Sequence, residues 1–180
     1  MCGSFCTFAA VFPVVEALAR DYNVIPILSE SARSIDSRFG TAQAHTLRLR
    51  EICGKEPLCT IAAVEPIGPK KLLDALVIAP CTGNTLAKLA HGIADTPVTM
   101  AAKSHLRNGR PVLVAVSTND ALAGAAENIG RLLARKNYFF VPFGQDDPLG
   151  KPTSMVAHFD KIPEALKLAL EGRQLQPILL

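Results

Sequence analysis

Residues 76–99 read LVIAPCTGNTLAKLAHGIADTPVT, and this stretch decides the fold. The apolar run Ala75, Leu76, Val77, Ile78 and Ala79 has the composition of a strand buried on both faces. Pro80 breaks it, and five small residues follow: Cys81, Thr82, Gly83, Asn84 and Thr85. Leu86, Leu89, Ala90 and Ile93 then recur at i, i+3, i+4 and i+7, the spacing of a helix with one buried face. Thr82, Asn84 and Thr85 are all good helix N-caps. The chain therefore leaves a sheet at a strand's carboxyl end, turns tightly through uncharged polar residues, and enters a helix. Open α/β sheets present ligands at that place, with unpaired amides beside a helix N-terminus. Every such crossover needs polar caps, so one turn alone carries little. The concentration of hydroxyls, an amide and a glycine without any charge suits a neutral heterocycle or a phosphate held by dipoles.

The same pattern recurs outward from this stretch. Downstream, residues 111–116 form a second buried strand run that ends in Ser117, Thr118, Asn119 and Asp120. Asn119 or Asp120 is expected to cap a helix carrying Leu122, Ile129, Leu132 and Leu133. A last strand is expected over 138–141 and a last helix over 162–170. Between them, residues 142–154 are rich in Pro and Gly and read as a lid or an oligomer contact. The apolar tail 175–180 reads as a segment that docks on its own core or on a neighbour.

Upstream, Gly3, Ser4 and Thr7 form a turn suited to an anion, since Gly lets backbone amides converge. Phe8, Val11, Phe12, Val15, Leu18 and Ala19 share one helical face; Pro13 is expected to start that helix near Phe12 or to kink it. Residues 23–28 read as a strand, with Pro26 marking its end or an edge, and Ser29 lies at its carboxyl end as a cap or a ligand contact. Arg33 and Arg38 follow; two arginines near a rim could hold a dicarboxylate, though such residues are more often solvated. A helix is expected over 41–53 with Gly54 as its stop, a short strand over 58–62, a brief helix after Pro69, and a helix over 98–108 with Lys103, His105, Arg107 and Arg110 near its C-terminal end. His91 and His105 read as helix-surface or cap residues and Cys81 as a small buried filler.

The sum is one α/β domain over residues 1–180, a three-layer, doubly wound parallel sheet of Rossmann-like type. Composition agrees. The chain is 49% hydrophobic but only 6% aromatic, with no Trp, so its core is aliphatic. A net charge of +3, spread along the chain, does not point to nucleic acid. Five cysteines without a CxxC pair point away from a disulfide framework or a metal site and towards the cytoplasm. No apolar run is long enough for a membrane span.

Gly3-Ser4, the run Pro80-Cys81-Thr82-Gly83-Asn84-Thr85 and Ser117-Thr118-Asn119, with the string AKLAHGIAD (87–95), resemble the flavoprotein family that includes the phosphopantothenoylcysteine decarboxylases and the flavin prenyltransferases. Phrases along the whole chain, among them GSFCTF, EPIGPKKL, FVPFGQDDP and EGRQLQP, resemble a branch of that family that forms dipicolinate. The resemblance implies a flavodoxin-like fold and an FMN-type cofactor. It places Gly3, Ser4 and Thr7 near the flavin phosphate, Ser29 at the second strand's end, Thr82, Gly83, Asn84 and Thr85 against the flavin or its ribityl chain, and Ser117, Thr118 and Asn119 at the closing side. It implies a trimer-based homo-oligomer in the cytoplasm of the mother cell of a sporulating bacterium. It also implies a partner that binds a nicotinamide, NAD(P), as the A-type component of a dipicolinate synthase. The two together would be an oxidoreductase that converts a dihydrodipicolinate-type precursor to dipicolinate.

Three departures qualify it. The catalytic His of the cysteine decarboxylases has no counterpart around Glu65-Pro66-Ile67-Gly68, which speaks against decarboxylation. Cys81 stands where the family usually has Ala. The first strand of the flavodoxin order, a central one, is missing ahead of Gly3-Ser4, so the natural chain is expected to begin upstream. The residues doing chemistry are not named by the sequence, and a non-catalytic partner protein with a vacant flavin-like pocket is the second reading.

Overall fold

Where the first helix begins, Pro13 decides less than expected. In the computed structural model, which describes residues 1–180, α1 runs unbroken over Phe8–Asp21 with Pro13 inside it. Pro13 has no N–H for the carbonyl of Ala9. Ala9 is exposed, so water can take that place. The buried face of α1 carries Phe8, Val11 and Phe12. Two further helices follow on the same side of the chain: α2 (Glu30–Ser34), capped by Ser29, and α3 (Ala42–Cys53), capped by Thr41 and closed by Gly54 in the left-handed conformation.

Residues 23–28 do not form the expected strand ladder, and neither do residues 58–62. What remains is one parallel bridge, Ile27 to Leu58. The chain then turns helical as α4 (Ile61–Val64), earlier than the helix expected after Pro69. The edge strand β1 (Leu76–Cys81) continues through Pro80, because a register shift between Ile78 and Cys81 absorbs the missing donor. Helices α5 (Gly83–His91) and α6 (Pro97–Leu106) carry the chain over to β2 (Val112–Thr118), which pairs parallel with β1. Helix α7 (Ala126–Leu133) leads to β3 (Tyr138–Phe140), parallel to β2 on its other side. Beyond β3, two short strands not foreseen in the Pro/Gly-rich region, β4 (Phe143–Gly144) and β5 (Met155–Ala157), pair antiparallel; β5 takes the place beside Ser117 and Thr118 that β3 has vacated. The final helix α8 (Ile162–Leu170) falls where its spacing put it.

The sheet is thus parallel at its centre, with an antiparallel extension at the carboxyl ends of the strands. α1 and α8 cover one face, and α5, α6 and α7 the other. The aliphatic core centres on β2, whose residues from Val112 to Val116 are fully buried, as expected for a strand covered on both faces. The tail docks on its own domain: Phe143 N–H donates to Ile178 O at 3.0 Å, and the Gln174 side chain brackets the backbone of Phe140.

Two details of α6 yield predictions. Its start is a capping box: Thr99 N–H donates to Thr96 Oγ1 at 3.2 Å, and Thr96 N–H to Thr99 Oγ1 at 3.1 Å. Thr96→Ala removes the acceptor for the Thr99 amide and the partner hydroxyl that holds Thr99 in place, and urea titration should show a loss of about 1–2 kcal/mol.

Near its end, His105 is fully buried, not at the surface as expected. Its Nε2–H donates to Pro111 O at 3.0 Å and its Nδ1 has no partner. Burial holds its pKa below the ordinary 6.5, and burial acts the same way on His45. A depressed histidine pKa means that the unfolded chain binds the proton more readily. The contribution is fully present above 6.5 and is lost as pH falls from there towards the folded values. Urea midpoints taken between about pH 7.5 and pH 5 should therefore fall on acidification, and His105→Gln should flatten that fall.

Candidate functional site

Four turns, two of them at the carboxyl ends of β1 and β2, meet at one rim, and hydrogen bonds tie them together. The first turn reaches the fourth through Ser4 Oγ and Ser117 Oγ, 2.7 Å apart across 113 residues of chain. It reaches the third through Thr85, whose hydroxyl donates to Cys2 Sγ at 3.3 Å. It reaches the second through Ser29, whose N–H donates to Met1 O at 3.0 Å. The third and fourth meet at Gly83: a side-chain carbon there would stand 2.8 Å from Thr118 Oγ1 and 2.9 Å from Asp120 Oδ1. Gly3 is similarly close to the second turn, with the same test atom 3.0 Å from Ser31 Cβ. Both glycines are needed for close approach.

The roles within this cluster differ. Thr82 caps α5, and its hydroxyl lies 3.1 Å from that of Thr85. Thr7 Oγ1 donates to Ser4 O at 2.8 Å, which closes the first turn. Thr7, Thr82 and Thr85 are thereby engaged in holding the rim. Ser4, Ser117 and Thr118 present hydroxyls at its centre. Asn84 is exposed in the first turn of α5. Asn119 faces away from the cluster: its carbonyl accepts from Thr153 Oγ1 at 2.7 Å, and its side chain meets Ser154. These bonds tie the 142–154 region down onto the fourth turn. Arg33 is exposed on α2, and Arg38 stacks on Phe39 with its guanidinium 4.9 Å from the ring centre; neither forms an ion pair.

Neither Asn119 nor Asp120 caps α7, which starts six residues beyond Asp120 and has no side-chain cap. Asp120 instead accepts a short hydrogen bond from Thr118 Oγ1 and stands over Gly83. It is the one charged group at the heart of the rim, although its sequence context is that of a cap. Cys81 is fully buried, and burial pushes its thiol pKa well up, so it fills space and does not react. His91 is held on the surface of α5, its Nδ1 2.9 Å from Ala87 O.

The donor set fits an anionic group with a polar tail. No acceptor in the protein takes the N–H groups of Gly3, Gly83 or Asn84. The last two open α5, whose dipole favours negative charge. Beside them stand hydroxyls able to donate or accept, and the Asp120 carboxylate, which can only accept.

The match to the Flavoprotein family model spans residues 1–163. This chain belongs to that family. The flavoprotein is 47% identical over 178 residues to the B subunit of dipicolinate synthase from Bacillus subtilis (strain 168), a match covering 98% of this chain and 89% of the relative. It also matches the crystal structure of the dipicolinate synthase B subunit from Bacillus halodurans C, with a TM-score of 0.90 and 43% identity over 99% of this chain and 92% of that one. The fold alone is shared with DmrB of Burkholderia xenovorans, solved in complex with FMN as a cubic protein cage for redox transfer, at a TM-score of 0.66 and 22% identity over 94% and 92%. The resemblance read along the whole sequence, and the flavodoxin-like class, are borne out by these matches. No helix is long and apolar enough to cross a membrane.

Proposed function

We propose that this flavoprotein is the B-type component of a dipicolinate synthase, which works with a nicotinamide-binding A-type partner to oxidise a dihydrodipicolinate-type precursor in a sporulating cell. The observation that carries the reading is the Ser4–Ser117 contact at the rim, in a chain nearly half identical to such a protein from end to end. FMN fits the rim. The amides of Gly3, Gly83 and Asn84 would hold its phosphate, with Ser4 and Ser117 beside it. Thr118 and Asp120 would accept hydrogens from ribityl hydroxyls or a ring N–H, while Ser29 flanks the second strand's end. When bound, a flavin supplies a hydride acceptor; a nicotinamide on the A-type partner is the other candidate. Aromatising the precursor removes a hydride and a proton, and the carboxylate of Asp120 is the rim group able to take the proton. Arg33 and Arg38 are the candidates to meet the substrate's carboxylates. The FMN-bound cage built on the same fold supports a homo-oligomer, here proposed as trimer-based.

A second reading, a protein that organises the A-type partner without chemistry of its own, draws on the scarcity of acid–base groups: His105 is buried beside Pro111, His91 lies on the surface of α5, and the Cys81 thiol is inert. Decarboxylation is disfavoured because the sequence has no histidine at Glu65-Pro66-Ile67-Gly68. The test is an assay on freshly made dihydrodipicolinate with this chain alone, with the A-type partner alone, and with both, the released cofactor being identified by mass. Product from both together, and a flavin released from this chain, is the expected result. Turnover by the partner at the same rate with and without this chain would remove the reading.

A further inference from the structure

Beside the rim, the residues that follow Ser4 open a second hollow. Cys6 Sγ lies 3.9 Å from Ser4 Oγ, and Phe5 and Cys6 line a cavity of about 150 Å³ between α1 and α3. Its other walls are Phe8 and Phe12 of α1, Phe39, and His45 and Arg48 of α3. Helical spacing explains the grouping: Phe5, Phe8 and Phe12 fall at i, i+3 and i+7, and His45 and Arg48 at i and i+3. Four of the chain's eight phenylalanines thus stand around one hollow, in a protein whose core is otherwise aliphatic.

Two polar groups break the aromatic lining. His45 is buried, with Phe8 edge-on at 4.9 Å and Phe12 stacked at 5.8 Å between ring centres, and its Nε2 has no partner. Gly40 makes room for the imidazole, since a side-chain carbon there would lie 2.8 Å from His45 Cε1. Burial, and then Arg48, hold the His45 pKa below 6.5, so the neutral ring has one N–H to give, and an acceptor at Nε2 would draw it there. Arg48 lays its guanidinium 4.4 Å from the centre of the Phe12 ring and gives Glu16 one hydrogen bond at 3.1 Å, which leaves other N–H groups free of protein partners. Arg38, stacked on Phe39, adds a second guanidinium, so the cations outnumber the Glu16 carboxylate.

We propose that this pocket binds a small, flat aromatic carboxylate, its ring among the four phenylalanines and its carboxylate on His45 and Arg48. A cavity of about 150 Å³ takes a benzene-sized ring. Aromatic walls reward a flat ring beyond the area it buries. A carboxylate satisfies the buried Nε2–H and meets a guanidinium in the geometry that suits it best. Water alone is a poor occupant, because it needs two to four polar partners and the walls are aromatic. The identity of the acid rests on the functional reading above, under which it is dipicolinate; the class of acid rests on the pocket. His45 and Arg48 then join Arg38 as the groups that select the ligand, and the ligand lies next to Ser4 of the rim.

The experiment is isothermal titration of the 180-residue protein with three acids: dipicolinate, its carbocyclic analogue isophthalate, and the aliphatic diacid pimelate. Both aromatic acids are expected to bind at least about tenfold more tightly than pimelate. Arg48→Met and His45→Leu should each weaken them at least about tenfold. Ala9→Leu, which fills the cavity from an exposed position on α1, should abolish binding without touching the core. Arg50→Gln, one turn away on α3 and paired with Glu56, should bind like the parent. Isophthalate bound in this pocket with dipicolinate refused upholds the pocket and removes the functional reading. Dipicolinate binding that Gly83→Val destroys and Ala9→Leu spares overturns the pocket and leaves the functional reading standing. Equal affinity for all three acids, or no binding of either aromatic acid at saturating concentration, also overturns it.

Discussion

Gly83→Val is expected to weaken FMN binding at least about 100-fold while leaving the far-UV circular dichroism spectrum intact. A loss of that size corresponds to roughly 2.7 kcal/mol. The reason is local. A first side-chain carbon at position 83 meets Thr118 Oγ1 at 2.8 Å and Asp120 Oδ1 at 2.9 Å. Both are ends of side chains, so the turn yields by rotating them outwards, which breaks the Thr118–Asp120 bond. The branched side chain also stands over the N–H groups that open α5. The fold survives because Thr82, which caps the helix, is untouched. Gly83→Ala should lie between the two. Fluorescence quenching titrations of FMN with the three proteins measure the series, and a Gly83→Val protein that binds like the parent would remove Gly83 from the pocket.

The largest stability effect should come from Gly68→Ala, far from the rim. The added carbon would lie 2.6 Å from Ser104 O, with the carbonyl carbon and Cα of Ser104 within 3.2 Å. These are backbone atoms of α6, which cannot rotate aside. The segment would have to lift from α6, and the bond from Asn108 Nδ2 to Gly68 O, 3.0 Å long, would lift with it. Overpacking of this kind costs about 3 kcal/mol, or roughly 6–12 °C in Tm for a chain of this size. Gly109→Ala is the useful comparison. Its φ of 68° strains an alanine, but nothing lies within 4 Å of the added carbon, so only the left-handed conformation is charged, at about 1 kcal/mol. If Gly109→Ala proves the worse of the two in thermal unfolding, the close approach of 68 to α6 is not as described.

Legibility in the sequence varies with how local the cause is. β1, its polar turn and α5 are readable because hydrophobic run, cap and helical spacing all lie within 24 consecutive residues, 76–99. α3, α6 and α8 are readable for the same reason. β4 and β5 are not: they are two and three residues long, and they exist because β2 offers a free edge at Ser117 and Thr118. The segment 24–28 has a strand's composition but stays a single bridge, since pairing depends on a neighbour that composition does not report. His105 lies in a basic stretch that suggests exposure, yet α6 turns it inwards onto Pro111 O. Within the rim, the residue types are visible but their division of labour is not. Thr7, Thr82 and Thr85 are fasteners, Asn119 faces the 142–154 region, and Asp120 stands among the hydroxyls. Those assignments depend on contacts such as Ser4 with Ser117, which no local pattern encodes.

The central claim is that four turns, two of them at strand ends, form one receptacle for a phosphate with a flat ring attached. Crystals of the protein grown with millimolar FMN test it most directly. The phosphate should lie against the amides of Gly83 and Asn84, between them and Ser4, with the ribityl chain passing Thr118 and Asp120. Flavin bound at any other surface, or none bound at saturating concentration, would contradict it.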